Sequence, residues 1–166
     1  LIQVLEKVRS VCKYVGTGKT KYLNIPISFD TETTSFYDKN NQKTAIMYVW
    51  MLGICGLVVV GRTWEEWLYT YNELSKYFRT CGKRIAIIYI HNMAFDFQFL
   101  RKHHNIEKVF EIETYQPLYA ITKEGIEFID IMPLIIQKET FSEIIEKFVE
   151  EIKHKSVDYI VGPEAR

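Results

Sequence analysis

Six consecutive uncharged residues, Ile85 to Ile90 (IAIIYI), constrain the fold more than any other segment. A strand that faces water on one side alternates apolar and polar residues, whereas a short continuous apolar run is typical of a strand buried on both faces. Further strands are predicted at Ile25–Phe29, Ile46–Ile54 and Leu57–Val60, and short alternating strands at Glu107–Asp130. The sequence therefore predicts an α/β fold in which helices pack on a mixed sheet.

Two predicted helices begin with a capping box, the pairing of a Ser or Thr with a Glu three residues later. Thr63 precedes Glu66 in this way, and Thr140 precedes Glu143. The helix after Thr63 carries a stripe of aromatic residues at helical spacing, which is typical of a core-facing surface. A third helix is predicted to start near Asn92, immediately after the buried strand.

The first 20 residues are predicted to form a leading helix and a turn, and residues 21–166 a single larger domain. Apolar residues of Leu1–Val15 fall on one helical face, and Gly16–Lys19 breaks that pattern. A chain of 166 residues with 48% hydrophobic and 25% charged residues is typical of one globular domain.

Composition excludes few functions, but it indicates the cellular compartment. The formal net charge is zero, so charge neither favours nor excludes a nucleic-acid ligand. Three cysteines without disulfide or zinc-ligand spacing favour a reducing compartment. Since no signal peptide and no apolar run of about 20 residues is visible, we expect a cytoplasmic protein that contacts no membrane.

Two carboxylates follow the first predicted strand at a spacing of two residues. Asp30 and Glu32 would project from the same side of the sheet, because side chains alternate along a strand. Neighbouring carboxylates repel unless cations neutralise them, and hard divalent ions prefer oxygen ligands. The pair therefore predicts an Mg²⁺ or Mn²⁺ site, although such pairs also occur by chance on surface strands.

A third carboxylate, Asp96, follows the buried strand and lies in the first turn of the next predicted helix. An acidic residue at this position also has a purely structural explanation, because it offsets the positive end of the helix dipole. Asp96 alone therefore does not identify a functional site.

Together the segments FDTETT and IHNMAFDFQFL resemble the first and second exonuclease motifs of the DEDD superfamily. Within it, the chain is similar to the proofreading domain of protein-primed family B DNA polymerases of bacteriophages and related mobile elements, over most of Ile25–Asp130. This resemblance implies a ribonuclease-H-like mixed sheet flanked by helices, the DEDD exonuclease fold.

The resemblance also implies roles for individual residues. Asp30, Glu32 and Asp96 would be catalytic and would hold two Mg²⁺ or Mn²⁺ ions. The residues implied to contact the 3′ end of single-stranded DNA are Thr33, Tyr89, His91, Asn92 and Phe95. Aromatic faces stack on bases of any sequence, which suits such a ligand. Packing between helix and sheet is an equally good explanation of Phe95, and core packing of Tyr89. His91 could instead serve only the structure of its loop.

The third motif of the family, a Tyr followed four residues later by Asp, is missing. Tyr115 and Tyr119 lack an Asp at that spacing, and Tyr159 is followed by Pro163. Either the exonuclease domain is truncated before its third motif or it has lost the motif, and in both cases we expect this fragment to be weak or inactive. Lys153 and Lys155, near the end, are candidate basic contacts to DNA, although a solvated basic helix end explains them equally well.

The resulting hypothesis is a proofreading 3′-5′ exonuclease domain of a DNA polymerase that hydrolyses phosphodiesters with two metal ions. Its expected partners are a single-stranded DNA 3′ end, the rest of the polymerase chain and a terminal priming protein. A degenerate exonuclease fold that binds nucleic acid as an accessory module is the first alternative. The second is a free-standing DEDD exonuclease that acts on RNA or DNA.

Overall fold

The structure is a computed structural model that describes residues 2–8, 12–114 and 116–153. Five helices are assigned in these ranges: α1 (Ile2–Val8), α2 (Trp64–Phe78), α3 (Met93–Leu100), α4 (Met132–Ile136) and α5 (Lys138–Ile152). The strands are β1 (Tyr14–Val15), β2 (Lys21–Leu23), β3 (Ile27–Tyr37), β4 (Lys43–Ile54), β5 (Leu57–Gly61), β6 (Arg84–Ile90), β7 (Ile106–Glu113), β8 (Gln116–Thr122) and β9 (Ile126–Asp130).

The chain divides into two compact units, Leu1–Ile131 and Met132–Arg166. All nine strands belong to the first unit and form one mixed sheet in the order β5-β4-β3-β6-β9-β8-β7. Strand β4 pairs antiparallel with β3 and β5. Strand β6 pairs parallel with β3 and β9. On the other side of β9, strand β8 pairs antiparallel with β9 and β7. The predicted α/β class with a mixed sheet flanked by helices is thus confirmed.

Helix α2 covers one face of this sheet. Trp67 is fully buried, and its ring centroid lies 4.3 Å from that of Phe29 on β3 and 5.5 Å from that of Trp50 on β4. Burial of a large apolar side chain contributes roughly 1.5–3 kcal/mol. The helix begins where the sequence predicts, because Thr63 and Glu66 form both hydrogen bonds of the capping box.

The opposite face of the first unit's sheet is more exposed. Along β3, Ser28, Asp30 and Glu32 are exposed and alternate with buried residues. On β6, Ile87 and Tyr89 are only half-buried. The strand predicted at Ile85–Ile90 is therefore confirmed, but its burial on both faces is not.

Three predicted boundaries are wrong. The leading helix ends at Val8 instead of Val15, and Tyr14–Val15 pairs with β2 as a strand. Helix α5 begins at Lys138, with Gln137 rather than Thr140 in the cap position. Strand β3 continues to Tyr37 instead of ending at Phe29, because its Thr and aromatic residues favour a strand and pair with β4.

No helix in the part of the chain that the structure describes is long and apolar enough to cross a membrane.

Gly61 provides a test of the packing between β5 and β4. A Cβ atom at Gly61 would lie 2.2 Å from Cζ2 of Trp50, whose Nε1 donates a 2.9 Å hydrogen bond to the Thr63 carbonyl oxygen. Because Trp50 is held in place, we expect G61A to lower the free energy of unfolding by about 1–3 kcal/mol. Urea unfolding would measure this difference.

The matched control is G18A, since a Cβ at Gly18 meets no atom within 4 Å. Equal unfolding midpoints for G61A and G18A would contradict the packing described for Trp50.

Candidate functional site

The candidate site lies where the parallel part of the sheet ends. The last parallel pairs are Phe29 with Ile90 and Ile90 with Asp130, so β6 and β9 both end at the level of Phe29. Strand β3 continues past this point, paired with β4 alone. Asp30 is the first residue beyond it, at the carboxyl edge of the parallel strands, where open α/β sheets commonly bind ligands.

Asp30 and Glu32 share the exposed face of β3, as their two-residue spacing predicts. They lie inside a long strand, however, and not at the end of a short one. The pairing with β4 shifts register directly after Glu32, which opposes Val49 while Thr33 opposes Met47. Such irregularities redirect side chains and are frequent beside functional sites.

Asp96 reaches β3 from the face that the helices cover. It lies in the first turn of α3 and is only 3% exposed. The Thr31 hydroxyl, which points to that same face, donates a hydrogen bond to Asp96 Oδ1. Sequence reasoning missed Thr31, although its position between two exposed carboxylates placed it on the helix-covered side of the strand.

The charge of Asp96 is poorly compensated. Burial raises the pKa of Asp96 to about 6; the hydrogen bond from Thr31 opposes this rise, and the negative charge of Asp30 adds to it. Over the described ranges, Lys76 with Glu73 is the one ion pair, so no cationic side chain pairs with Asp96. A buried carboxylate next to a second carboxylate is costly unless a cation binds.

The three predicted metal ligands do not form a preassembled cluster. Among the described residues, no group of three or more His, Cys, Asp or Glu side chains is close enough to hold a metal ion. Asp30 and Asp96 are the two that interact. Two carboxylates still suit Mg²⁺, which usually keeps several waters and takes its other ligands from substrate phosphates. The two-ion arrangement stays a prediction.

The five predicted contact residues surround this edge of the sheet. Thr33 and Tyr89 are half-buried on β3 and β6, and His91 and Asn92 are exposed in the turn that follows β6. Asn92 has φ 58° and ψ 57°, a left-handed conformation that Asn tolerates better than most residues. Phe95 is 44% exposed and contacts the ring of Phe99 at 5.6 Å, so it packs only in part.

The residues weighed for a third motif and for a basic DNA contact cannot all be placed. Tyr115, Tyr159 and Lys155 lie outside the described residues, whereas Lys153 is exposed at the C-cap of α5. Tyr119 lies on β8, where its ring stacks on Phe110 with centroids 5.5 Å apart.

The hydrogen bond between Thr31 and Asp96 can be tested by T31V. Because this substitution removes the donor and leaves a buried carboxylate, we expect the free energy of unfolding at pH 7.5 to fall by about 1–3 kcal/mol. T33V, two residues along the same strand, is the matched control and should stay within about 0.5 kcal/mol of the original protein. Equal losses in the two variants would show that the bond contributes nothing specific.

The raised pKa of Asp96 predicts a stability profile. The folded protein keeps the Asp96 carboxyl protonated up to about pH 6. The contribution of this group to the free energy of unfolding is therefore fully present below the unfolded pKa of Asp and is lost as pH rises through 6. At pH 7.5 we expect D96N to be more stable than the original protein, by at most about 3 kcal/mol for two pKa units. Near pH 4 the two should converge.

Urea unfolding of both proteins between pH 4 and pH 8 would measure the difference. A difference that does not change over this range would contradict the raised pKa.

Curated proteins named adenine phosphoribosyltransferase match part of the chain. The protein from Clostridium tetani is 52% identical over 49 residues, which are 30% of this chain and 28% of the relative. That from Clostridium beijerinckii is 43% identical over 60 residues, 36% of this chain and 31% of the relative. That from Clostridium novyi is 41% identical over 54 residues, 32% of this chain and 31% of the relative. The chain thus spans less than a third of these relatives.

No family model matches the chain, and no solved structure matches it. The stretch from Asp30 to Asp96 is longer than 60 residues, so none of these three matches contains both carboxylates. The similarity to the relatives and the carboxylate pair are therefore two separate observations.

These relatives overturn the family predicted from the sequence. The prediction of a proofreading exonuclease of a phage DNA polymerase is wrong, and with it the DNA 3′ end, the polymerase chain and the priming protein as partners. The physical reason is that spaced carboxylates serve any site for a hard cation, so two short acidic motifs do not identify a substrate. The chain is similar in part to adenine phosphoribosyltransferases.

Proposed function

We propose that the chain binds one divalent cation, Mg²⁺ or Mn²⁺, at Asp30 and Asp96 and, through that cation, a phosphate-bearing ligand. The observation that supports this most is the environment of Asp96, a buried carboxylate that interacts electrostatically with Asp30 and has no cationic side chain paired to it among the described residues. A bound cation would remove the repulsion between the two carboxylates.

The remaining coordination positions favour a phosphate ligand. With two carboxylates and no third ligand assembled nearby in the described ranges, a cation would retain several exchangeable waters. Phosphate oxygens replace such waters readily, because Mg²⁺ prefers hard oxygen donors. Glu32, on the same face as Asp30, is proposed to orient one of the remaining waters.

The names of the relatives suggest the ligand class. Adenine phosphoribosyltransferases act on adenine and a phosphoribosyl group. We extend this to the present chain as a proposal, with phosphoribosyl transfer to adenine as the activity of the complete protein. The proposal concerns the complete protein because the chain spans less than a third of those relatives.

The residues around the edge suit such a ligand. The half-buried ring of Tyr89 and the exposed ring of Phe95 offer faces on which a purine can stack. His91 and Asn92 offer side-chain donors for phosphate or ribose oxygens, and Thr33 offers a hydroxyl. Their proposed role is to orient the ligand next to the cation.

We also propose that the sheet is of the ribonuclease-H-like type. The support is the order β5-β4-β3-β6-β9, in which an antiparallel meander is followed by two strands parallel to its first strand. This proposal concerns the fold alone, because one fold hosts many chemistries. An experimental structure of the chain would test it.

Isothermal titration with Mn²⁺ at pH 7.5 tests the cation site. We expect one ion per chain, with affinity lowered at least about tenfold, or about 1.4 kcal/mol, in D30N and in D96N. The matched control is E107Q, which removes an exposed carboxylate from β7. Unchanged affinity in D30N and D96N would refute the proposed site.

Phosphoribosyl pyrophosphate then tests the ligand class. The same titration with this compound should show binding that requires Mn²⁺ and is lost in D30N. If Mn²⁺ binds but does not promote binding of this compound, the cation site is supported and the proposed ligand class is refuted.

A further inference from the structure

A cleft of about 630 Å³ lies between the C-terminal end of α3 and strand β7. Its volume falls within the range of roughly 300–1,000 Å³ that is typical of sites for small molecules. Neither Asp30 nor Asp96 lines it. The cleft is therefore separate from the proposed cation site.

Positive charge dominates this cleft. Arg101, Lys102 and Lys123 line it, against the single carboxylate of Glu111. All three cations are exposed, and none forms an ion pair with a residue of the described ranges. Unpaired cations around a concave surface concentrate anions, and the planar guanidinium of Arg matches the geometry of phosphate oxygens.

His104 adds a neutral hydrogen-bond donor. Trp67 Nε1 donates a 2.8 Å hydrogen bond to His104 Nε2, so the neutral ring carries its proton on Nδ1. Burial lowers the pKa of His104 to about 4, which keeps the ring neutral at physiological pH.

The Nδ1 atom of His104 is not fully buried. It has no hydrogen-bond partner among the described residues, and no side-chain nitrogen or oxygen there is both fully buried and unpartnered. Since His104 lines the cleft, its Nδ1–H is available to a ligand in it. The Tyr71 ring, with its centroid 4.2 Å away, holds the imidazole in place.

We propose that this cleft binds a small organic phosphate, with Arg101, Lys102 and Lys123 around the phosphate and His104 Nδ1–H donating to an oxygen of the same molecule. The apolar wall formed by Phe97, Ile106 and Val109 receives the rest of the ligand. No metal ion is required, because the cations of the protein neutralise the phosphate directly.

Titration of the full chain with ribose 5-phosphate in the presence of EDTA tests this proposal. The original protein should bind the compound, and R101A/K123A should bind it at least about tenfold more weakly, since two phosphate-facing charges are lost. Ribose without the phosphate should not bind.

The matched control is K39A/K43A, which removes two exposed cations from the hairpin between β3 and β4 and changes the net charge equally. Equal weakening in both double variants, equal binding of ribose, or no binding by the original protein would overturn the proposal. R101Q/K123Q, with side chains of similar length, repeats the test if the alanine variant unfolds. Because EDTA removes divalent ions, failure here is distinguishable from failure of the cation site.

Discussion

The packing of Trp67 determines most of what the first unit presents to solvent. Its fully buried ring lies against Phe29 of β3 and Trp50 of β4, and its indole N–H binds His104 beyond α3. This one side chain therefore joins α2, the antiparallel strands and the loop after α3. The face of the sheet that it covers becomes the core, and the other face, which carries Asp30 and Glu32, becomes the exposed one.

That division also explains the environment of Asp96. Helix α3 packs on the covered face, so the Asp96 carboxylate meets Thr31 there instead of joining the exposed pair Asp30 and Glu32. The negative charge of Asp30 still raises the pKa of Asp96. A site of this kind reduces stability in the absence of a ligand, as functional sites with unpaired charges commonly do.

The proposed cation site at Asp30 and Asp96 and the cleft lined by Arg101 lie at opposite ends of α3. Asp96 is in the first turn of the helix, whereas Arg101 caps its end. Both proposed ligands carry phosphate, yet one would bind through a cation and the other through protein side chains. This difference separates the two sites chemically, even though a single short helix positions both.

Sequence alone determined the features that depend on neighbouring residues. The capping box at Thr63, the shared face of Asp30 and Glu32, and the strand at Ile85–Ile90 follow from the local residue pattern, because helix caps and strand alternation are local geometry. The short acidic motifs did not determine the family, since carboxylates at that spacing serve many ligands.

Only the tertiary structure decided the features that depend on distant residues. The extension of β3 to Tyr37 requires its partner β4, and the strand at Tyr14–Val15 requires β2. The hydrogen bond between Thr31 and Asp96 joins residues 65 positions apart, and that between Trp67 and His104 joins residues 37 positions apart. Such contacts arise when the sheet brings separate segments together, and no pattern within one segment specifies them.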